Sequence, residues 1–312
     1  MVVKIEGKNG ISVTVLADSI ALNGKRMTSF EFVYHRLFHS EAMTHRLPSK
    51  NASSTRAVPL KKAVEYTNDN PAVPVFWGKN KPGMMATEPL VGEELKKAQE
   101  LWELGRKQAS ELVLEFEKIG LHKQIAGRPL ETYSMIKVVC SGTDWGNLLW
   151  LRDDEEAQPE FAELAACIRE ALKESVPVRL HRGEWHLPYI DSRRDTDGVL
   201  RYYDSDGNEL TVEEAKQISA SCCAQVSYRN LNESKEKAIE IYHKLVGARK
   251  KHASPFEHQA TPIYDSVNYN ISFVPSTWEE GITHVDKAGM LHSGNLTGWI
   301  QHRQLIPDHV HD

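Results

Sequence analysis

Two strand-like segments on either side of Asn23-Gly24 constrain the fold of this 312-residue chain more than any other feature. Residues 13–21 are rich in β-branched side chains, and a second strand-like segment follows over residues 26–32. An Asn-Gly pair readily adopts the positive φ angles that a two-residue hairpin turn requires. The two segments are therefore predicted to pair as antiparallel strands of a sheet.

Helical periodicity is clearest in residues 92–119, where apolar side chains recur at close to 3.6 residues and Gly120 follows as a terminator. Further helices are predicted over residues 34–46, 58–66, 159–173, 211–220 and 234–246. This mixture predicts an α+β fold in which a twisted β-sheet is flanked by long α-helices. We expect one domain over residues 1–312, with an inserted hairpin at about residues 198–210.

Composition narrows the class of protein. Apolar residues make up 40% of the chain and charged residues 26%, values typical of a soluble globular protein. No apolar run approaches the roughly 18 residues that a membrane span needs, and no signal peptide is evident, so we expect a cytoplasmic protein without a membrane partner. The formal net charge of -5 gives no support to a surface for a nucleic-acid polymer. The charge of the chain fits a ligand that is a single nucleotide better than one that is a nucleic-acid polymer.

The cysteines give no support to metal or disulfide chemistry. Cys140, Cys167, Cys222 and Cys223 show no CxxC spacing and no neighbouring histidine pattern. We therefore expect neither a zinc site nor a disulfide framework. Without a partnered base, a nucleophilic cysteine is disfavoured as well.

Residues 45–56 concentrate the groups that bind anions. This segment holds two guanidinium groups, an imidazole, an amide and four hydroxyls in twelve residues. Arginine offers a planar fork that matches phosphate oxygens, and Ser and Asn supply short hydrogen bonds. The segment predicts a site for a nucleotide or a phosphorylated cofactor. The alternative from composition alone is an exposed polar loop.

Three other polar clusters are candidate site elements. Gln124 and Arg128 lie four residues apart, a spacing that fits either a nucleotide grip or an exposed helix face. Arg152 ends an apolar segment, so its charge is expected to need an anionic partner. Residues 252–258 carry two imidazoles and a carboxylate around a proline. They suit acid–base chemistry, cofactor contact or merely a capping turn.

The spacing of residues 44–56 resembles the signature RHRxxSxNxxSxR of the flavin-dependent thymidylate synthases of the ThyX family. Thr44 replaces the first Arg, and the remaining signature positions are identical: His45, Arg46, Ser49, Asn51, Ser54 and Arg56. Three further segments resemble family elements: Leu151-Arg152 with Ala157-Gln158, residues 120–130, and the His-x-x-Pro-Phe-Glu-His block at residues 252–258.

The order of these motifs differs from that of ordinary members. In those members the histidine block precedes the signature, whereas here it follows it. The resemblance therefore implies a circularly permuted chain of the long, phage-type form, which would place the protein in a host cytoplasm. Residues 299–303 also repeat the family's Trp-x-Arg-His-Arg step, with Gln301 at the first Arg position.

The resemblance implies reductive methylation of dUMP to dTMP. Members bind FAD and dUMP at the interfaces of a homotetramer, take carbon from methylenetetrahydrofolate, and reduce the flavin with NADPH. Alternatives that stay open are a flavin-dependent hydroxymethylase acting on a pyrimidine nucleotide and a non-catalytic nucleotide-binding protein. Mutating each cysteine singly to Ser is expected to leave turnover intact.

The resemblance also implies roles for particular residues. The catalytic candidates are His252, Arg152 and Ser54. The FAD candidates are His45, Arg46, Asn51, Asn147, His258, His302 and Arg303. The dUMP candidates are Glu41, Ser54, Arg56, Gln124, Arg128 and Arg152. Thr44 leaves the signature without its first arginine. Arg303 or Arg128 is therefore expected to take over part of that arginine's role in binding FAD or the nucleotide phosphate.

Overall fold

The computed structural model describes residues 2–226, 234–263 and 275–310. Its α-helices are α1 His39–Thr44, α2 Leu60–Asp69, α3 Gly92–Lys118, α4 Lys123–Ala126, α5 Gly146–Arg152, α6 Pro159–Glu174, α7 Val212–Gln225 and α8 Lys235–Gly247. Its strands are β1 Lys4–Glu6, β2 Ser12–Ala21, β3 Arg26–His35, β4 Ser49–Ala52, β5 Met135–Gly142, β6 Val178–Leu180, β7 Asp191–Arg194, β8 Leu200–Tyr203, β9 Glu209–Leu210, β10 Ala260–Pro262, β11 His284–Val285, β12 Leu291–Ser293, β13 Leu296–Thr297 and β14 Trp299–Gln301. The fold is α+β, as predicted.

The main sheet has six strands in the order β1-β2-β3-β5-β4, with β6 added parallel to β2. The predicted hairpin is confirmed, because β2 and β3 pair antiparallel across the turn at Asn23 and Gly24. Gly24 has a φ of +81°, a conformation that few other residues adopt without strain. The short strand β4 pairs with β5 and ends this row of strands.

The helix predicted over residues 34–46 is wrong in its first half. Strand β3 continues to His35, a 3₁₀ turn covers Arg36–Phe38, and α1 begins only at His39. Tyr34 pairs with Ile136 of β5 and is almost fully buried. Sheet pairing and burial therefore outweigh the local helical pattern, as tertiary context often does.

The later helices follow the sequence prediction closely, although two boundaries change. Helix α3 matches residues 92–119 and is followed by Gly120 at a φ of +76°. Helix α7 begins with a Thr211–Glu214 capping box, at the predicted start, but runs on to Gln225. Residues 120–130 form only the short α4, followed by a 3₁₀ turn over Arg128–Tyr133. Pro129 near the start of that turn explains why α4 does not continue, since proline lacks the N–H that a helix interior uses.

Among the described residues, the two largest apolar clusters pack against the main sheet. Phe161 and Ile168 of α6 pack with Phe30 and Ile136 of the sheet. The second cluster joins residues 180–218 to the C-terminal segment and centres on Trp299, which is fully buried. The predicted hairpin at residues 198–210 forms β8 and β9 of a three-stranded sheet whose apolar side chains belong to this second cluster. That residues 1–312 form one domain with this hairpin inserted stays a prediction.

Within residues 2–226, 234–263 and 275–310, no helix combines the length and the apolar character needed to cross a membrane.

Candidate functional site

The anion-binding segment lies at the edge of the main sheet. Helix α1 ends at Thr44, whose hydroxyl donates to the Glu41 carbonyl at 2.7 Å. Strand β4 follows at Ser49, and its Ser49 and Asn51 side chains are buried. Thr44 thus bonds within its own helix, and its neutral side chain supplies no positive charge in place of the signature's first arginine.

A cavity of about 470 Å³ opens beside the start of β4. We call it the signature cavity. Its walls bring together His45, Arg46, Lys50, Glu257, Asn295 and Arg303. Residues of the signature therefore meet residues from two segments that are more than 200 positions away in sequence.

A second cavity of about 780 Å³ lies along the same strand and is bounded on one side by helix α8. We call it the helix cavity. Lys50 and Ser254 line both cavities, so the two spaces adjoin. His252 lines the helix cavity and is exposed. The histidine block of residues 252–258 thus lies against the signature strand, as expected if both belong to one site.

Arg152 is held by three side chains on α1, α6 and the signature. Its Nε donates to His45 Nε2 at 2.9 Å, and its Nη1 lies 3.7 Å from Glu41 Oε2. Its guanidinium carbon lies 5.3 Å from the centre of the Phe161 ring, on which His45 also stacks. Glu41 is therefore the anionic partner expected for Arg152. A guanidinium fixed in this way loses little entropy on binding a ligand.

His45 accepts a hydrogen bond from a cation, which requires a neutral imidazole. Burial lowers the pKa of His45, and the charges of Arg152 and Lys50 lower it further. With Nε2 accepting from Arg152, the proton of the neutral ring is assigned to Nδ1. His45 can therefore donate from Nδ1 while it orients Arg152.

Lys50 holds the turn that precedes β4. Its Nζ donates to the carbonyl oxygens of His45 and of Pro48, the latter at 3.0 Å. Burial lowers the pKa of Lys50. This lysine had no assigned role in the sequence prediction, although it lines both cavities.

The remaining dUMP candidates form a separate group at the other end of the signature. Ser54 Oγ accepts from the Arg56 backbone N–H at 3.3 Å. Glu131 accepts from Thr55 Oγ1 at 3.1 Å and from Arg128 Nη1 at 2.8 Å. Arg128 Nε also donates to the Gln124 carbonyl at 3.2 Å. Within the part of the chain that the structure describes, no hydrogen bond or ion pair joins these residues to Arg152.

Three FAD candidates lie outside the walls of both cavities. Asn147 is exposed on α5. His258 is fully buried, and His302 lies between the rings of Trp185 and Phe256, at centroid distances of 5.4 and 5.3 Å. Burial lowers the pKa of both histidines to about 3. These two imidazoles are therefore neutral and lie in the core.

Arg303 is the FAD candidate that does reach the signature cavity. It forms an ion pair with Glu257, and its Nε is buried without a hydrogen-bond partner among the described residues. A buried guanidinium N–H without an acceptor is costly. It marks a position where a ligand acceptor would be stabilising.

A chain of buried hydrogen bonds crosses the sheet and ends at His258. Ser19 Oγ lies 2.9 Å from His186 Nδ1, and His186 Nε2 lies 2.8 Å from Ser29 Oγ. Ser29 Oγ and Ser141 Oγ are 2.5 Å apart, and Ser141 Oγ is 2.9 Å from His258 Nδ1. Burial lowers the pKa of His186 to about 4. The chain fixes the histidine block to strands β2, β3 and β5.

Asn295 lines the signature cavity and was not among the residues predicted from sequence. Its Nδ2 donates to the Leu47 carbonyl and to Ser49 Oγ, the second at 3.0 Å. Gln301 Nε2 donates to Asn295 Oδ1 at 2.8 Å. Asn295 lies 246 positions after Ser49, so local patterns carry no signal for this contact.

The four cysteines are all buried. Burial raises the pKa of Cys140 to about 12 and that of Cys167 to about 11, which keeps both thiols protonated near neutral pH. Within the described residues, no group of three or more His, Cys, Asp or Glu side chains is placed to hold a metal ion.

Together these features describe an α+β protein with a cationic, amide-lined site at the edge of its sheet. Residues 26–178 match the model of the Thy1 family, described as thymidylate synthase complementing protein. This match includes the signature residues 44–56 and confirms the resemblance to the ThyX family found there. The histidine block lies outside the match, so the permuted chain order stays a prediction.

One similar solved structure is the UMP/dUMP methylase PolB from Streptomyces cacaoi bound with 5-Br UMP. It is 14% identical, the match covers 55% of this chain and 92% of that chain, and the TM-score is 0.45. No curated protein sequence matches this chain.

Proposed function

We propose that this protein is a flavin-dependent thymidylate synthase that methylates dUMP, with FAD as cofactor and methylenetetrahydrofolate and NADPH as co-substrates. One observation carries the proposal. The signature residues 45–51 and the histidine block of residues 252–258, which are distant in sequence, line the same pair of adjoining cavities.

The signature cavity suits the phosphates of a dinucleotide such as FAD. Arg46, Lys50 and Arg303 supply positive charge, and Asn295 supplies an amide. The buried Arg303 Nε has no acceptor among the residues that the structure describes, and a phosphate oxygen would provide one. Reduced FAD, when bound, supplies the hydride for the reaction. The protein contributes orientation and electrostatic stabilisation.

Arg152 is proposed to stabilise the negative charge that develops on the uracil carbonyl next to the reacting carbon. Donors fixed before the reaction are most effective, and His45, Glu41 and Phe161 fix this guanidinium. His45 keeps the guanidinium oriented only while its own imidazole is neutral. His252, exposed in the helix cavity, is proposed to lie at the flavin.

The second group of residues is proposed to complete a neighbouring subunit's dUMP site. Ser54, Arg56, Gln124 and Arg128 lie apart from Arg152 within one chain, which is compatible with a site shared between subunits of a homotetramer. Arg56 is exposed and so is available to a ligand bound at an interface. The proposed location is the cytoplasm, that of a host if the chain is phage-encoded.

Product analysis tests the proposed function directly. Purified protein is incubated with dUMP, methylenetetrahydrofolate, FAD and NADPH, and the nucleotide product is measured by mass spectrometry. We expect a mass equal to that of thymidylate, from a yellow protein that bleaches on reduction with NADPH.

Two other outcomes have defined meanings. A product heavier by one oxygen would replace methylation with hydroxymethylation, a reaction for which the departure from the family signature at Thr44 leaves room. A colourless protein that cannot be reconstituted with FAD would contradict an enzymatic role and favour a nucleotide-binding protein.

Arg303→Ala is expected to raise the Kd for FAD by roughly tenfold, because a charge-assisted hydrogen bond to phosphate is lost. FAD fluorescence titration measures this constant. The matched control is Arg182→Ala, which removes an exposed arginine paired with Glu279 outside the cavity. If Arg303→Ala left both FAD retention and dUMP affinity unchanged, Arg303 would not share the task of the missing signature arginine.

A further inference from the structure

Basic side chains are concentrated in the wall of the helix cavity. Three lysines line it, Lys50, Lys237 and Lys244, together with His252. Within the described part of the chain, no carboxylate lines its walls. This contrasts with the formal net charge of -5 for the whole chain. A cavity whose walls are all of one sign concentrates ions of the opposite sign.

The two lysines of helix α8 lie on the face of the helix that lines the cavity. Lys237, Ile241, Lys244 and Leu245 follow an i, i+4, i+7, i+8 spacing, so they share one face of the helix, and all four line the cavity. Glu240 lies between the two lysines in sequence and pairs with both, at 2.8 and 2.5 Å. One carboxylate shared by two ammonium groups leaves a surplus of positive charge.

The rest of the wall is apolar or carries amides. Ala52, Ile241, Leu245 and Pro255 offer apolar surface, while Asn51 and Gln225 offer hydrogen bonds. A ligand that complements this lining has a flat or apolar body and an anionic end. At about 780 Å³, the space is within the range of pockets that bind small molecules and cofactors.

We propose that the helix cavity binds the anionic end of an aromatic co-substrate, with Lys237 and Lys244 as the residues that recognise its carboxylate or phosphate groups. The identity of the co-substrate rests on the proposed function, whereas the charge of the cavity does not. Two sources share this chemistry: the glutamate tail of tetrahydrofolate and the phosphates of NADPH. Helix α8 lies outside residues 26–178, so the two recognising lysines are not part of the segment that matches the family model.

Equilibrium binding to the FAD-loaded protein tests the proposal and separates the two sources. Calorimetry is carried out with mono- and polyglutamylated tetrahydrofolate in one arm, and with NADP⁺ and NAD⁺ in the other. In the variant Lys237→Gln/Lys244→Gln, we expect the affinity for either polyglutamylated tetrahydrofolate or NADP⁺ to fall roughly tenfold, because the ion pairs that the two lysines would form with the ligand's anionic groups are lost. The difference should shrink at high ionic strength.

The matched control is Lys235→Gln, which removes a lysine of the same helix that pairs with Glu214 and does not line the cavity. An unchanged melting temperature shows that the double variant is folded. The proposal is overturned if the double variant binds the more anionic ligands within twofold of wild type, or if the control weakens binding equally. Binding is measured without turnover, so a missing thymidylate product would count against the proposed function alone.

Discussion

Replacement of Arg152 by Ala is expected to lower kcat/KM for dUMP by roughly two to three orders of magnitude. The guanidinium is fixed by its hydrogen bond to His45, its ion pair with Glu41 and its position over Phe161. The guanidinium therefore needs little reorganisation to stabilise the transition state. Steady-state kinetics with purified variants measures the loss.

Arg152→Lys separates charge from geometry. Lysine keeps the positive charge but cannot donate from an Nε–H to His45 while presenting a planar fork to a carbonyl. We expect this variant to recover less than a tenth of the lost activity. Arg169→Ala is the matched control, because Arg169 is a nearby arginine that pairs with Asp153 and Glu170 at the surface. Activity of Arg152→Ala within threefold of wild type would remove Arg152 from the proposed mechanism.

Acid is expected to destabilise the protein as the pH falls below about 6.5, the pKa of an unperturbed histidine. Burial lowers the pKa of His186 to about 4 and those of His258 and His302 to about 3. The charge of Asp18 raises the pKa of His186 and so partly offsets the effect of burial, whereas the charge of Lys216 lowers the pKa of His302 further.

The direction of the change follows from proton binding. Between pH 6.5 and about 4, the unfolded chain binds protons on these imidazoles and the folded chain does not, so the free energy of unfolding decreases as the pH falls. Each histidine contributes a slope of up to about 1.4 kcal/mol per pH unit over that interval. Above pH 6.5 the stabilisation is fully present.

Urea unfolding at several pH values between 7.5 and 4.5 measures this slope. His258→Gln should reduce it by about one proton, whereas the exposed His243→Gln should leave it unchanged. If His258→Gln does not fold, His302→Gln provides the same comparison. A slope that is equal in wild type and in the buried-histidine variant would contradict the idea that these imidazoles are neutral when folded.

Much of the local structure could be predicted from sequence because its signals are local. The Asn23-Gly24 turn, the 3.6-residue period before Gly120 and the capping box at Thr211 each act over a few residues. The helix predicted from residue 34 failed because pairing of Tyr34 with β5, about a hundred positions away, decides its conformation.

The candidate site was only partly predictable for the same reason. The fixed spacing of the signature identified His45 and Arg46, which do line a cavity. Asn295 lines that cavity because it contacts Ser49, which lies 246 positions earlier in the chain. No local pattern in a single sequence indicates such a contact. His258 and His302 have the residue type of a site but are buried in the core, a fact that depends on how distant segments pack.

The contacts of Asn295 and Arg303 also bear on how the protein is made. A chain emerging from the ribosome can pair β2, β3, β4 and β5 once residue 142 is free. The wall of the signature cavity, however, is completed by residues 294–304, which emerge well after the strands of the main sheet. Because contacts between distant segments form slowly, capture of a ligand there must follow translation of residues 294–304. Nascent chains stalled before residue 294 would have the folded edge of the main sheet but not the complete signature cavity that retains a ligand.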